Sequence, residues 1–242
     1  MRDDTGLTRR RILSAVAMLT GGFLAGAALV GEAAVEAGHR PDLLPTTPDE
    51  AWRLLMAGND RWASGRSRHP HQDLARRVEV SAGQSPYAVV VSCIDSRVPP
   101  EMIFDTGIGD VLAVRTAAHT VDPLVTAAIE YGPADLRASL VVVLGHQYCG
   151  AVTAAAEALA SHRPLPHGLR PIETALRPAY QRSSTGGLTG PLLIESMIHD
   201  HTTTVADALC HDPLLAPRAR SGGLQVVGAY YSLESGRVTR LV

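Results

Sequence analysis

Aromatic side chains are scarce in this chain: two Trp, two Phe and six Tyr make up 4% of its 242 residues. A core with so few large rings must rest on Val, Leu, Ile and Ala. Cysteine is scarce too. Cys93, Cys149 and Cys210 are too few, and odd in number, for a disulfide framework. At most one bridge is open to a mature protein outside the cytoplasm, and metal ligation or catalysis is the stronger use of the first two. An excess of either charge is missing: the formal net charge is −2, which leaves no electrostatic footprint for a nucleic-acid partner. No internal repeat is present, which sets repeat architectures aside. With 45% apolar and 19% charged residues, the chain is neither disordered nor a multi-span membrane protein. Its length suits one large domain plus a processed or disordered end.

The amino-terminal residues read as an address. Residues 1–11 are short and polar and carry Arg9, Arg10 and Arg11; residues 12–30 are apolar but broken by Gly21, Gly22 and Gly26. Small residues follow, with Val35 and Ala37 spaced for a signal peptidase. This basic, apolar, small-residue layout predicts a signal peptide over residues 1–37 and a linker over 38–46. Thr8-Arg9-Arg10-Arg11-Ile12-Leu13 further predicts a twin-arginine signal, the route for folded, cofactor-loaded cargo, and so a periplasmic or extracellular destination. The alternative is a membrane anchor, because the apolar run is just long enough for ~30 Å of hydrocarbon; membrane contact then comes only through this segment, if it stays uncleaved.

A catalytic domain is expected over residues 47–242. Thr47, Pro48, Asp49 and Glu50 open a helix: Thr caps, Pro suits the first helical position, and acids favour the positive end of the dipole. Trp52, Leu55, Met56 and Trp62 give that helix an apolar packing stripe. Residues 87–92, 111–115 and 140–144 are continuous apolar, β-branched runs, as in strands buried on both faces of a parallel sheet. Helices are expected over 122–131, 151–160 and 191–209, and a terminal hairpin over 225–231 and 237–242, turning at Glu234-Ser235-Gly236. Residues 161–189, rich in Pro, Gly, Ser and Arg, predict an irregular insertion with a short helix near 172–176. The fold class is α/β, with a mainly parallel β-sheet flanked by helices.

Two segments carry the chemistry: Cys93-Ile94-Asp95-Ser96-Arg97 and His146-Gln147-Tyr148-Cys149-Gly150. Each follows a predicted buried strand, and sites in open α/β sheets form beyond the carboxyl ends of strands. Two thiolates, an imidazole and a carboxylate make a tetrahedral set suited to zinc. A lone strand cysteine is usually a small hydrophobe, and either segment alone is a weak signal. Together, each followed by turn chemistry, they point to a metal. Asp95, with Arg97 two residues on, is a replaceable fourth ligand with a partner of its own, which favours a catalytic site over a structural one.

From Gln84 to Val152 the chain resembles the β-class carbonic anhydrases. Cys93-Ile94-Asp95-Ser96-Arg97-Val98 with Glu101 fits the family's first motif, Gly109-Asp110 leading to Val114-Arg115 its second, and Leu144-Gly145-His146 with Cys149-Gly150-Ala151-Val152 its third. The likeness runs weakly from Asn59 and more clearly to the end, where Gly228-Ala229-Tyr230-Tyr231 and Gly236 fit. The resemblance implies Zn2+ held by Cys93, His146 and Cys149, with Asp95 either a fourth ligand or, released, the partner of Arg97. It places Gln84 where the plant-like branch has a polar residue over the substrate pocket, Tyr131 at a pocket tyrosine, and Leu112, Ala117 and Gly150 near the wall. It implies a homodimer or higher homo-oligomer with sites near the subunit interface, and reversible hydration of carbon dioxide to bicarbonate and a proton. A carbon disulfide or carbonyl sulfide hydrolase on the same fold, and an inactive zinc-binding protein, are the alternatives; intact Asp95, Arg97 and Gln84 argue against the last. One departure stands out. Where the family commonly has Arg-Asn-Ala-Gly-Asn, this chain has Arg115-Thr116-Ala117-Ala118-His119, which makes His119 a candidate proton relay. His199, His201 and His211 are expected at the surface or in caps.

Overall fold

A computed structural model describes residues 45–242; the expected signal over 1–37 and most of the expected linker lie outside the described residues. The first helix, α1 (Pro48–Ala63), starts as its sequence requires. The Thr47 hydroxyl accepts from the Glu50 backbone N–H, and the Glu50 carboxylate accepts from the Thr47 N–H, so each satisfies an orphan donor of the other. The helix buries Ala51, Leu55, Gly58 and Asn59, with Trp52, Met56 and Trp62 packed at the margin of the core.

Asn59 fastens α1 to the domain. Its amide donates to Ile103 O at 3.1 Å and Gly236 O at 2.9 Å, and its Oδ1 accepts from Val238 N at 2.8 Å. Gly58 allows the close approach: a Cβ there would run into the Phe104 carbonyl. Helix α2 (Leu74–Glu79) leads to the first strand.

The sheet has five strands: β1 (Ala88–Cys93), β2 (Val111–Thr116), β3 (Leu140–His146), β4 (Gln225–Tyr231) and β5 (Val238–Arg240). Their spatial order is β2-β1-β3-β4-β5, parallel throughout except for antiparallel β5. Every residue of β1 and β3 is buried, so their unbroken apolar runs cover both faces. Val90, Val142 and Val227 point into one core with Leu55, Leu176 and Met197; Val89, Val91, Val141 and Val143 point into the other with Ile129, Val205 and Leu209. Short α3 (Pro100–Ile103) follows β1, α4 (Pro123–Asp135) lies between β2 and β3, and α5 (Gly150–Ser161) leaves β3. Among the described residues, no helix is long and apolar enough to cross a membrane.

The insertion over 161–189 differs from expectation. After a 3₁₀ turn at His167–Leu169 it forms a sixteen-residue helix, α6 (Arg170–Thr185). Ile172, Leu176, Ala179 and Ser183 recur at helical spacing and pack inward, and this burial outweighs the helix-breaking composition around them. Pro171 sits in the first turn, where no N–H is needed, and Pro178 removes one interior hydrogen bond without ending the helix. Helix α4 likewise runs through Pro133 to Asp135, past the expected end. The long α7 (Gly190–Cys210), the short α8 (Ala216–Arg220) and the terminal strand pair complete the chain.

Asp105, after α3, is a second anchor. Its side chain is fully buried, in left-handed backbone (φ 44°). It accepts from Arg61 Nε at 2.5 Å, His69 N at 2.9 Å and Arg68 N at 3.0 Å. Burial opposes its ionisation, but these donors prevail and hold its pKa below the ordinary carboxylate value. Asn tolerates the same backbone, so Asp105→Asn removes charge without strain. It should lower the urea unfolding free energy by roughly 1.5–3 kcal/mol at neutral pH. Because the folded pKa is depressed, this contribution is complete above the unfolded value of about 3.9 and is lost as pH falls through the folded value. Urea midpoints of both proteins should therefore converge in acid.

Candidate metal centre

The parallel register decides where the candidate ligands fall. Ser92 of β1 lies beside Leu144 of β3, so Cys93 and His146 leave the sheet together at the carboxyl ends of neighbouring strands. The turn Gln147-Tyr148 then brings Cys149 to the N-cap of α5. Tyr148 makes that turn with a left-handed φ of 55°. Its hydroxyl donates to Glu234 at 2.5 Å, and Gln147 Oε1 accepts from Ser232 and Glu234 N, which ties the loop to the β4–β5 turn. The ligating atoms of Cys93, His146 and Cys149 lie within 4.8 Å of one another, and all three residues are buried.

The donor chemistry of this cluster fits a soft, tetrahedral cation. His146 Nδ1 donates to Gln147 O at 2.9 Å, which fixes the tautomer and leaves a lone pair on Nε2. That Nε2 is buried and has no hydrogen-bond partner, an expensive state unless a cation takes the lone pair. The sulfurs stand 3.9 Å apart, far beyond a disulfide bond length of about 2.05 Å. Donors surround them: Ala118 N reaches Cys93 Sγ at 3.3 Å, and the first-turn N–H groups of Ala151 and Val152 face Cys149, where the helix dipole favours an anion. A hydrogen bond from the Cys149 thiol pulls the Cys93 pKa down and, by the same bond, pushes that of Cys149 up. Left to themselves the pair keeps one proton; a dication replaces it and admits two thiolates.

Asp95 is outside this cluster. Its Oδ1 accepts from the Arg97 backbone N–H and Nε, both at 2.9 Å, and its Oδ2 accepts from Arg97 Nη2 at 2.7 Å. The guanidinium bonds hold its pKa down at about 2. Arg97 also donates to Tyr148 O at 3.1 Å, which aims the pair across the mouth of the cluster. Arg115, whose role sequence reading missed, donates to Cys93 O at 2.9 Å and Asp95 O at 2.6 Å, clamping the backbone between ligand and carboxylate. A charged residue closing an otherwise apolar strand was the signal for it.

The remaining candidates separate into two groups. Ala117 and Gly150 adjoin the cluster, and a Cβ at Gly150 would meet nothing within 4 Å, so space lies open there. Gln84, Leu112 and Tyr131 are not brought to it. Gln84 is exposed and precedes β1. Leu112 pairs with Val89 near the start of that strand. Tyr131, 49% exposed, adjoins Gly132, which packs against Val89 and Leu112. At about 3.3 Å per residue, Val89 and Cys93 are roughly 13 Å apart along β1. These three residues therefore sit toward the opposite end of the sheet from the metal ligands of their own chain. The histidines also differ from expectation. His119 is buried, against Thr202 and the ring of His201, without the solvent access a proton relay needs. His201 is buried rather than at the surface, because its position on α7 faces inward. His211 does serve as a cap, its Nδ1 2.8 Å from Asp207 O, and His199 meets Tyr230 edge-on.

Residues 88–238 match the family model described as carbonic anhydrase. The chain is 40% identical over 193 residues to carbonic anhydrase 2 of Mycobacterium tuberculosis, covering 79% of this chain and 92% of that protein. It is 37% identical over 195 residues to a carbonic anhydrase of Mycolicibacterium smegmatis, covering 80% and 93%. Among solved structures, the β-carbonic anhydrase CafA of Aspergillus fumigatus superposes with a TM-score of 0.63 at 27% identity, over 78% of this chain and 89% of that one. A tetrameric β-carbonic anhydrase of Sordaria macrospora shares the fold with a TM-score of 0.64 at 24% identity, over 78% and 96%.

Purified protein should hold about one zinc per chain, with two sulfur donors and one nitrogen donor from the protein. Cys149→Ser removes one thiolate and should strip the metal. Elemental analysis after dialysis checks this, and full zinc occupancy in the variant would break the ligand assignment.

Proposed function

The chain belongs to the carbonic anhydrase family, and from that premise we propose that it is a zinc enzyme that reversibly hydrates carbon dioxide to bicarbonate and a proton. The observation that carries the reading is the buried Cys93–His146–Cys149 cluster, with its partnerless Nε2, beside a carboxylate held off it by an arginine. Carbon dioxide is apolar and offers no charge to grip, so the site must supply a ready nucleophile. Bound by these three ligands, Zn2+ supplies it by bringing the pKa of water toward neutrality.

The chain's own residues do the rest. Cys93, His146 and Cys149 would hold the ion, and the pairing of Asp95 with Arg97 keeps that carboxylate off it. Asp95, ionised and fixed by the bidentate guanidinium, is an acceptor that orients the attacking water by one hydrogen bond. Arg115 keeps the backbone from Cys93 to Asp95 in place. The open space at Gly150 and the small side chain of Ala117 leave room for a linear substrate. Gln84, Leu112 and Tyr131 complete the pocket from a second copy of the chain. This dimer is supported by their placement away from their own cluster and by β2, the outermost strand, whose far edge pairs with no other strand among the described residues. The polar residue at Gln84 supports the plant-like branch.

We also place the mature enzyme, with its catalytic domain over residues 47–242, outside the cytoplasm. Support comes from the paired arginines, the apolar run and the small residues of the expected twin-arginine signal. Replacing Arg9 and Arg10 together by Lys should leave folded, active precursor in the cytoplasm, because the receptor reads the pair and not merely its charge. Fractionation checks this, and unchanged export would rule the route out.

Stopped-flow hydration of carbon dioxide by zinc-loaded protein tests the main reading, with carbonyl sulfide and carbon disulfide assayed alongside. Arg97→Ala should retain zinc yet lose activity on the order of 10²-fold, since Asp95 without its arginine would be free to bind the ion itself. Arg97→Lys should recover only part of the rate, because a point charge cannot reproduce the two-pronged bond. An Arg97→Ala protein with the wild-type rate would show that this arginine does not control the site.

A further inference from the structure

Ala118 and His119 follow β2, and the ligand set itself does not account for them. Both are buried, and both take left-handed backbone angles, with φ of 53° and 45°. Single residues other than glycine visit this region uncommonly, and two in succession need support from outside the turn. The family pattern has Gly-Asn here, the two residues that enter the region most readily; this chain has Ala-His. Yet the turn has a task, since it aims the Ala118 N–H at Cys93 Sγ, 3.3 Å away.

His119 supplies the support. Its Nε2 lies 3.2 Å from Thr202 Oγ1. The hydroxyl hydrogen of Thr202 is already given to Ile198 O at 2.7 Å, so the ring N–H donates and the Thr202 oxygen accepts. The ring also rests on His201, with centroids 4.8 Å apart. Thr202 is itself tightly seated: a Cβ at Gly145, beside His146, would collide with its hydroxyl. Burial first, and then the neighbouring His201 and His146, hold the His119 pKa well below the ordinary imidazole value, so the ring is neutral and its one N–H sits on Nε2.

We propose that His119 is a positioning residue for the metal centre: hydrogen-bonded to Thr202, its buried ring holds the left-handed Ala118–His119 pair so that the Ala118 N–H stays on the Cys93 sulfur. The inference rests on reading Cys93, His146 and Cys149 as metal ligands. An N–H on a thiolate draws charge from the sulfur and lowers its donation to a bound cation, so losing that contact makes the sulfur a stronger donor.

Cobalt substitution reads sulfur donation directly. The full chain is loaded with Co2+, and its sulfur-to-cobalt charge-transfer band is recorded for wild type, His119→Ala, Thr202→Val and the double variant Ala118→Gly with His119→Asn. The band should move to lower energy in both single variants, with circular dichroism unchanged. It should return to the wild-type position in the double variant, whose residues hold the left-handed turn unaided. If His119→Ala does not fold, Thr202→Val carries the test, since it removes the acceptor at nearly constant size. A band that stays at the wild-type energy in the folded single variants, or fails to return in the double variant, overturns the proposal while the metal reading stands. A wild-type protein with no such band overturns both.

Discussion

Two sulfurs 3.9 Å apart in a buried site impose the condition on which the rest of this structure depends. Two thiolates at that distance in a low dielectric repel strongly, so without a dication the pair keeps one proton. The fold answers by surrounding the sulfurs with backbone donors from the Ala118 turn and the first turn of α5, and by turning the bare Nε2 of His146 on the same point. Such an arrangement is unfavourable empty and favourable around one dication. Metal binding and the last steps of folding around the site are therefore linked.

Parallel strands are an economical way to meet that condition. β1 and β3 end side by side, so two ligands from segments far apart in sequence arrive at one place without any long loop to order. What remains is local. Gln147 O sets the tautomer of His146, Arg115 pins the carbonyls of Cys93 and Asp95, and Tyr148 and Gln147 tie the ligand loop to the hairpin turn. That hairpin is held through Asn59 to α1. A chain of buried or short hydrogen bonds thus runs from the first helix to the loop that carries the third ligand.

This organisation explains which features were legible in the sequence. β1 and β3 end within two residues of their expected limits, because full burial writes an uninterrupted apolar run; β2 also keeps its expected limits but, as an edge strand, is only partly buried rather than covered on both faces as expected. The capping box of α1 is equally local, and so are the two ligand segments. What was not legible depends on partners distant in sequence. Helix α6 hides its apolar stripe among prolines and arginines, and only its packing against α5 and α7 makes it a helix. His201 looks like one of several polar residues on α7 until the ring of His119, 82 positions earlier in the chain, is seen beside it. Gln84 and Tyr131 are recognisable by motif, yet no motif states at which end of β1 they fall relative to Cys93; the direction of the strand decides that.

That last separation divides the labour of the site. The metal ligands, their backbone donors and the Asp95–Arg97 pair all lie at the carboxyl ends of strands within one chain, so a single chain contains the whole ligand cluster and, on the proposed mechanism, the carboxylate that orients water. Gln84, Leu112 and Tyr131 lie toward the amino ends, where they serve no cluster of their own. On the proposed dimer they serve a neighbour's. Metal affinity is then a property of the monomer fold, set by hydrogen bonds inside it, whereas the enclosure of an apolar, uncharged substrate is a property of the assembly. The same division bears on where this chain departs from its family's pattern, just after β2. On the proposed positioning role of His119, the change at Ala118 and His119 is offset by Thr202 and His201 of the same chain.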